Sequence, residues 1–222
     1  MNKEHTALVL IDMQQETNYN LPQLKDILKK TRELATVCRE QGIPVIYTRQ
    51  VNRADGIGLS SMEPITNEGR PFYYDASSSS IDIFPEIAPH EEDVVVDKYR
   101  WSAFYETPLD LFLRNQGITD LIMAGFVTDG CLMTSTYDAY FRDYTMHMVH
   151  DLTATTSEGA HMSAHLTMGS WIYNMTYYTA MGMMKKLNGA DYQSFKPEQP
   201  DSLPFTPETL RETFENTILK HT

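Results

Sequence analysis

A three-layer α/β/α sandwich built on a mainly parallel six-stranded sheet is the fold class that this sequence predicts. Three observations carry the expectation. Short, nearly continuous apolar runs recur along the chain, which is the pattern of strands buried on both faces. Stretches with helical spacing separate these runs, so strand, helix and strand follow one another as right-handed βαβ units. Three chemically useful side chains, Asp12, Lys98 and Cys131, fall at strand ends or in the turn just after one. In an open α/β sheet that edge is where ligands bind.

Ala7 to Ile11 is the first strand, closed by Asp12. Leu21 to Gln41 carries Leu24, Ile27, Leu28, Leu34, Ala35 and Val37 at helical spacing, and Gly42 is its stop signal. Pro44 to Thr48 is the second strand. From Gln50 to Pro89 the composition turns to Ser, Gly, Pro, Asn and Asp with little periodicity. A loop of that length in a compact domain reads as a lid, a binding loop or an oligomer contact. Asp93 to Asp97 forms the third strand, with Lys98 next to it, and Thr107 to Asn115 the following helix. Leu121 to Ala124, within a strand Asp120 to Ala124, runs into the turn Gly125 to Gly130, and a helix then carries Cys131 in its first turn and continues to Arg142. Tyr144 to Val149 is a strand ending in His150 and Asp151. A helix from Ser157 to Met168, a strand near Tyr173 to Tyr178 and a helix to Leu187 complete the pattern.

The length of 222 residues suits one domain, here residues 1–187, with a terminal appendage at 188–222. The appendage is polar and Pro-containing, then opens a short helix with Thr206 as N-cap and Pro207 at the first helical position. A net charge of -12 excludes the basic surface that nucleic acids or anionic membranes require. No apolar run approaches the roughly 20 residues of a membrane span. The two cysteines, Cys38 and Cys131, lie in different elements and read as reduced thiols, so a cytoplasmic protein is expected.

At a helix N-terminus the free N–H groups and the dipole favour thiolate, so Cys131 is a candidate nucleophile with a lowered pKa. The alternative is a small buried residue packing helix onto sheet. Asp12 at a strand end either functions or caps a turn, and an isolated Lys98 would snorkel to solvent. Together, however, the three define a chemistry. A carboxylate accepts the thiol proton, an ammonium stabilises the charges, and the sulfur attacks a carbonyl carbon, with backbone N–H groups of the turn receiving the oxyanion.

The motifs Leu8-Val-Leu-Ile-Asp12-Met-Gln14, Asp97-Lys98-Tyr-Arg-Trp-Ser-Ala-Phe104 with Thr107-Pro-Leu, and Gly125-Phe-Val-Thr-Asp-Gly-Cys131 occur in this order and spacing. In this the chain resembles the isochorismatase-like cysteine hydrolases, a Rossmann-like family that includes nicotinamidases, N-carbamoylsarcosine amidases, biuret hydrolases and ureidoacrylate hydrolases. The resemblance spans residues 6–187. It implies a catalytic triad of Asp12, Lys98 and Cys131, a cis peptide bond between Val127 and Thr128, and an oxyanion hole from Val127, Thr128 and Cys131. It also implies a homo-oligomer, dimer or tetramer, in which the 188–222 extension reaches a neighbouring subunit. The Asp-x-His metal motif of nicotinamidases is replaced here by Thr48-Arg49-Gln50-Val51-Asn52-Arg53-Ala54-Asp55, so neither a metal nor another cofactor is expected and nicotinamide is disfavoured. Retention of Cys131 favours C–N cleavage in a small amide, carbamoyl or ureido compound. Vinyl-ether hydrolysis, or a binding protein without turnover, is the alternative reading.

Trp101, Phe104 and Tyr19 are the candidate walls for a small planar substrate. Arg49 and Arg53 either bind a substrate carboxylate or pair with the acidic surface. His161 and His165 lie i,i+4 on one helix with Glu158 a turn earlier, a spacing that can hold a metal, yet without the Glu of a zinc-protease motif they read as surface or packing residues. His150 and Asp151 either shape the site or make a structural hydrogen bond.

Overall fold

The computed structural model describes residues 1–16 and 19–222. Its six strands are β1 (Thr6–Ile11), β2 (Val45–Gln50), β3 (Val94–Lys98), β4 (Asp120–Phe126), β5 (Thr145–Ala154) and β6 (Met175–Tyr178). They pair in parallel in the order β3-β2-β1-β4-β5-β6. The order reverses at β1, so β1, β2 and β4 end beside one another and frame a crevice.

Successive side chains of β1 point to opposite faces, and each face buries its own layer. Ala7, Val9 and Ile11 join a core with residues of α2 (Leu109–Asn115), α3 (Met133–Tyr140) and α4 (Glu158–Trp171). Leu8 and Leu10 join a second core with α1 (Leu24–Glu40) and α5 (Ala180–Leu187). The continuous apolar runs thus serve two cores, which gives the expected three layers.

Helix α1 starts at Leu24, three residues later than the spacing suggests. It ends as expected: Gly42 takes φ +71°, and the N–H of Ile43 returns to the Cys38 carbonyl at 2.9 Å. Strands β2, β4 and β5 run longer than expected. The largest difference is in β5, which continues through His150 and Asp151 to Ala154. The β4–β5 register jumps from Met123↔Met148 to Gly125↔Thr153, so His150 and Asp151 stand on an irregular arch within the strand.

The close fit of β4 on β1 depends on Gly125, opposite Ile11. Its φ is +128°, and a Cβ built there would lie 2.1 Å from the Ile11 carbonyl oxygen. The segment 51–93 has no long regular element and folds over the crevice. Gln14 anchors it, donating from Nε2 to the carbonyls of Gln50 (3.0 Å) and Ile81 (2.8 Å).

Within this single chain the 188–222 segment packs on its own subunit. Phe195 exchanges backbone hydrogen bonds with Tyr177 of β6, at 2.7 and 3.0 Å. Helix α6 (Leu210–Phe214) continues as one wider turn through Glu215–Leu219. Thr206 and Thr209 exchange hydroxyl and N–H groups ahead of α6, at 2.8 and 3.3 Å, but the helix opens at Leu210 with Thr209 as its N-cap, three residues later than the sequence suggests. Leu203, Phe214 and Ile218 are buried against α4. Among the described residues no helix is long and apolar enough to cross a membrane.

Candidate active site

The ends of β1, β2 and β3 and the turn after β4 converge on one buried polar cluster. Asp12 follows β1 with φ 47°, a left-handed conformation that turns the chain sharply away from the strand. Its Oδ1 accepts the Thr48 hydroxyl at 2.7 Å, and its N–H donates to the same hydroxyl oxygen at 3.2 Å. Lys98, the last residue of β3, does not snorkel to solvent. Its Nζ lies 2.6 Å from Asp12 Oδ2 and donates to Gln50 Oε1 at 2.9 Å, to the Arg100 carbonyl at 3.0 Å and to Cys131 Sγ at 3.5 Å. The Asp12 Oδ2 contact is an ion pair without hydrogen-bond alignment, which leaves that oxygen with an open acceptor position.

Burial opposes the charge on Lys98, but Asp12 and Cys131 outweigh it and hold its pKa above the usual lysine range. For Cys131 burial is the largest effect and raises the pKa. Lys98 pulls it down, Asp12 pushes it up again, and the thiol is left pushed up to about 12. This corrects the expectation of a lowered pKa. The residue does not open a regular helix: it sits in a distorted turn, Thr128–Leu132, ahead of α3, with Gly130 at φ -121°, ψ -106°. Burial in this turn thus favours the thiol form of Cys131 over the thiolate.

The turn holds a second correction. A cis peptide bond is present, but it joins Phe126 to Val127, at the end of β4 and one residue before the expected position. The N–H groups of Gly130 and Leu132 both donate to the Val127 carbonyl, at 3.0 and 3.2 Å. Thr128 is fully buried, and its hydroxyl lies 2.9 Å from His161 Nδ1.

Cys131 forms the floor of a cavity of about 490 Å³. Tyr19, Trp101, Tyr73, Val127 and residues 60–64 of the long segment form its walls. Two of the candidate substrate walls thus face the cavity, with Tyr19 stacked on Tyr73 at 5.3 Å and Trp101 66% exposed at the rim. Phe104 does not. It is buried in the core against Tyr144, at 5.9 Å, because its side chain turns under α2. Arg49 and Arg53 are also outside the cavity wall. Arg49 is held in a two-point ion pair by Asp97, its register partner across β2–β3, and Arg53 by Asp55.

Thr48, Gln50 and Gln14 were not legible as site residues. Thr48 and Gln50 end an apolar strand and read as its polar terminus. Only the sheet order, which sets β2 between β1 and β3, brings them against Asp12 and Lys98.

Comparison with known proteins gives the chain a family. The isochorismatase domain model matches residues 6–176. Enterobactin synthase component B of Escherichia coli is 28% identical over 164 residues, covering 72% of this chain; the chain spans only 56% of that relative's length. The ureidoacrylate amidohydrolase RutB of Acinetobacter baylyi is 26% identical over 164 residues, 64% of this chain and 67% of its own. A solved cysteine hydrolase of Pseudomonas syringae pv. phaseolicola superposes with a TM-score of 0.74 at 24% identity, over 86% of this chain and 96% of its own. With a family model matched over most of its length and a six-stranded parallel sheet of the same fold, the chain belongs to the isochorismatase family.

Proposed function

We propose that the protein is a cysteine-dependent hydrolase of the C–N bond in a small amide, carbamoyl or ureido compound. The observation that carries this reading is the buried cluster in which Lys98 contacts both Asp12 and Cys131, with Cys131 at the floor of one cavity. A thiol, a carboxylate and an ammonium in one buried cluster are the groups that acyl transfer through a thioester requires. The amidohydrolase relative supports the same bond type.

In this reading the Sγ proton passes to the open Oδ2 position of Asp12 as sulfur attacks the carbonyl carbon. The carbonyl electron pair moves to oxygen, and the N–H groups of Val127, Thr128 and Cys131 are the proposed donors to that oxyanion. Collapse breaks the C–N bond, and the leaving nitrogen takes the proton from Asp12. Water then gives a proton to Asp12 and its hydroxide to the thioester carbon; the C–S bond breaks and sulfur is reprotonated. Lys98 keeps one positive charge beside the cluster throughout, so thiolate and carboxylate each form next to a cation. Tyr19 and Trp101 act as the substrate walls.

An ammonia-release screen over small primary amides, carbamoyl and ureido compounds tests the reading. Turnover that disappears in Cys131→Ala supports it. Turnover of any of these compounds that survives Cys131→Ala overturns it, as does hydrolysis of a vinyl ether by both forms alike.

A further inference from the structure

The cavity over Cys131 carries charge on its walls that the proposed chemistry does not use. Two carboxylates line it, Glu63 from the long segment and Asp129 from the nucleophile's turn, together with Tyr19, Tyr73 and Trp101. Among the described residues that line it there is no lysine, arginine or histidine.

Glu63 is a built part of this wall. Its Oε1 accepts the Asn52 side-chain amide and its Oε2 the Ser60 N–H, each at 2.9 Å. Asn52 is 3% exposed and is itself fixed, donating its N–H to the Tyr74 carbonyl at 2.9 Å and accepting the Ala76 N–H at 2.8 Å. Both donors to Glu63 are neutral, so its charge stays uncompensated and each oxygen keeps a lone pair for a further donor. Among the described residues Asp129 accepts no hydrogen bond and pairs with no cation. His161 feels its charge, but burial keeps that ring neutral by lowering its pKa.

The cations of this region are committed elsewhere. Lys98, beneath the floor, pairs with Asp12. Arg100 lines an adjoining cavity that shares Ser60 and Trp101 with this one, and its Nη1 donates to the Gly58 and Tyr99 carbonyls at 2.8 and 2.7 Å. Arg49 and Arg53 are held by Asp97 and Asp55. A substrate carboxylate would meet a wall of its own sign. A cation gains from the carboxylates and also from the aromatic rings, whose negative faces attract positive charge. Tyr19 and Tyr73 stack at 5.3 Å with 9° between their planes, and Trp101 adds an exposed indole at the rim.

We propose that this wall selects a positively charged substrate: an amide, carbamoyl or ureido compound whose other end is a protonated amine or quaternary ammonium group, held by Glu63, Asp129 and the aromatic rings. The substrate class rests on the hydrolase reading of Cys131; the cation site does not.

Two measurements test it, and they fail separately. The first compares ammonia release from 4-aminobutanamide, pentanamide and succinamate, which share an amide frame and end in a cation, a methyl group and an anion. We expect kcat/KM to fall in that order, by about tenfold or more from the first to the second. Asp129→Asn, which removes no hydrogen bond of the fold, should erase most of that preference through KM rather than kcat. In the second, the full chain carrying Trp171→Phe, which leaves Trp101 as its one tryptophan, is titrated with tetramethylammonium at constant ionic strength, with pivalate as the anionic control. A saturable change in Trp101 fluorescence is expected with the cation and none with pivalate, weakened by about tenfold or more when Glu63→Gln and Asp129→Asn are combined. Turnover of pentanamide or succinamate at least as fast as that of 4-aminobutanamide overturns the substrate class. An absent or non-saturating fluorescence response, or an equal one with pivalate, overturns the cation site. Saturable cation binding with no turnover of the three amides supports the site and counts against the hydrolase reading alone.

Discussion

Lys98 Nζ stands 2.6 Å from Asp12 Oδ2, and neither side chain reaches solvent. Each charge is tolerable inside the protein because the other is there. Lys98→Met strands the carboxylate, and we expect it to lower unfolding free energy by about 3–5 kcal/mol. Lys98→Met combined with Asp12→Leu should recover a large part of that loss, since no lone charge remains. Urea unfolding of the two single variants and the double variant measures the coupling. Losses that simply add would mean that the pair is not a unit.

The Cys131 thiol gives a prediction whose sign separates reactivity from turnover. Asp12 raises the thiol pKa and Lys98 lowers it. Asp12→Asn should therefore move the pH profile of iodoacetamide alkylation to lower pH, while the rate of any C–N hydrolysis falls by about 10²–10⁴ with loss of the base. Wild-type alkylation should be slow near neutrality. Fast wild-type alkylation well below about pH 8.5 would show that the resting thiol is ionised after all.

Cys38 carries a second pH effect, on stability. Burial in the α1 core pushes its thiol up to about 12, only partly offset by Arg39. The folded pKa thus lies above the unfolded one. Stability from this group is complete below the unfolded thiol pKa of about 8.5, and falls by about 1.4 kcal/mol per pH unit above it, because the unfolded chain sheds a proton that the native chain keeps. Cys38→Val should flatten the decline in unfolding free energy between about pH 9 and 10.5. An unchanged slope would mean that the thiol ionises freely in the fold.

How much of this was legible depended on whether one residue or a pairing carried the information. Asp12, Lys98 and Cys131 could be read because each follows a recognisable strand, and a doubly wound sheet brings those ends together. The fold class and the stop of α1 at Gly42 followed from patterns of a few residues. Arg49 could not be separated from the substrate wall, since its engagement depends on Asp97 lying opposite it across β2–β3. Phe104 read as a wall because its neighbour Trp101 is one; only packing against Tyr144 shows that it turns inward. His161 and His165 looked like surface or packing residues on a helix with no cleft. The arch in β5 creates a cavity that His161 lines, and a register jump has no signature in a single sequence.

The same dependence on pairing makes Gly125 the most exacting backbone position in the site. A Cβ there would stand 2.1 Å from the Ile11 carbonyl oxygen, so β1 and β4 would have to separate immediately before Asp12 on one side and the Cys131 turn on the other. Gly42 has a similarly unusual φ, +71°, but nothing lies within 4 Å of its Cβ position. Gly42→Ala should therefore cost only the backbone strain, about 1–2 kcal/mol. Gly125→Ala adds a clash with backbone that cannot move aside, and we expect a loss of more than about 4 kcal/mol or failure to fold. Thermal and urea unfolding of the two variants measure the difference. Equal costs would mean that β1 and β4 can part without loss, and the alignment of Asp12 with Cys131 would then need another support.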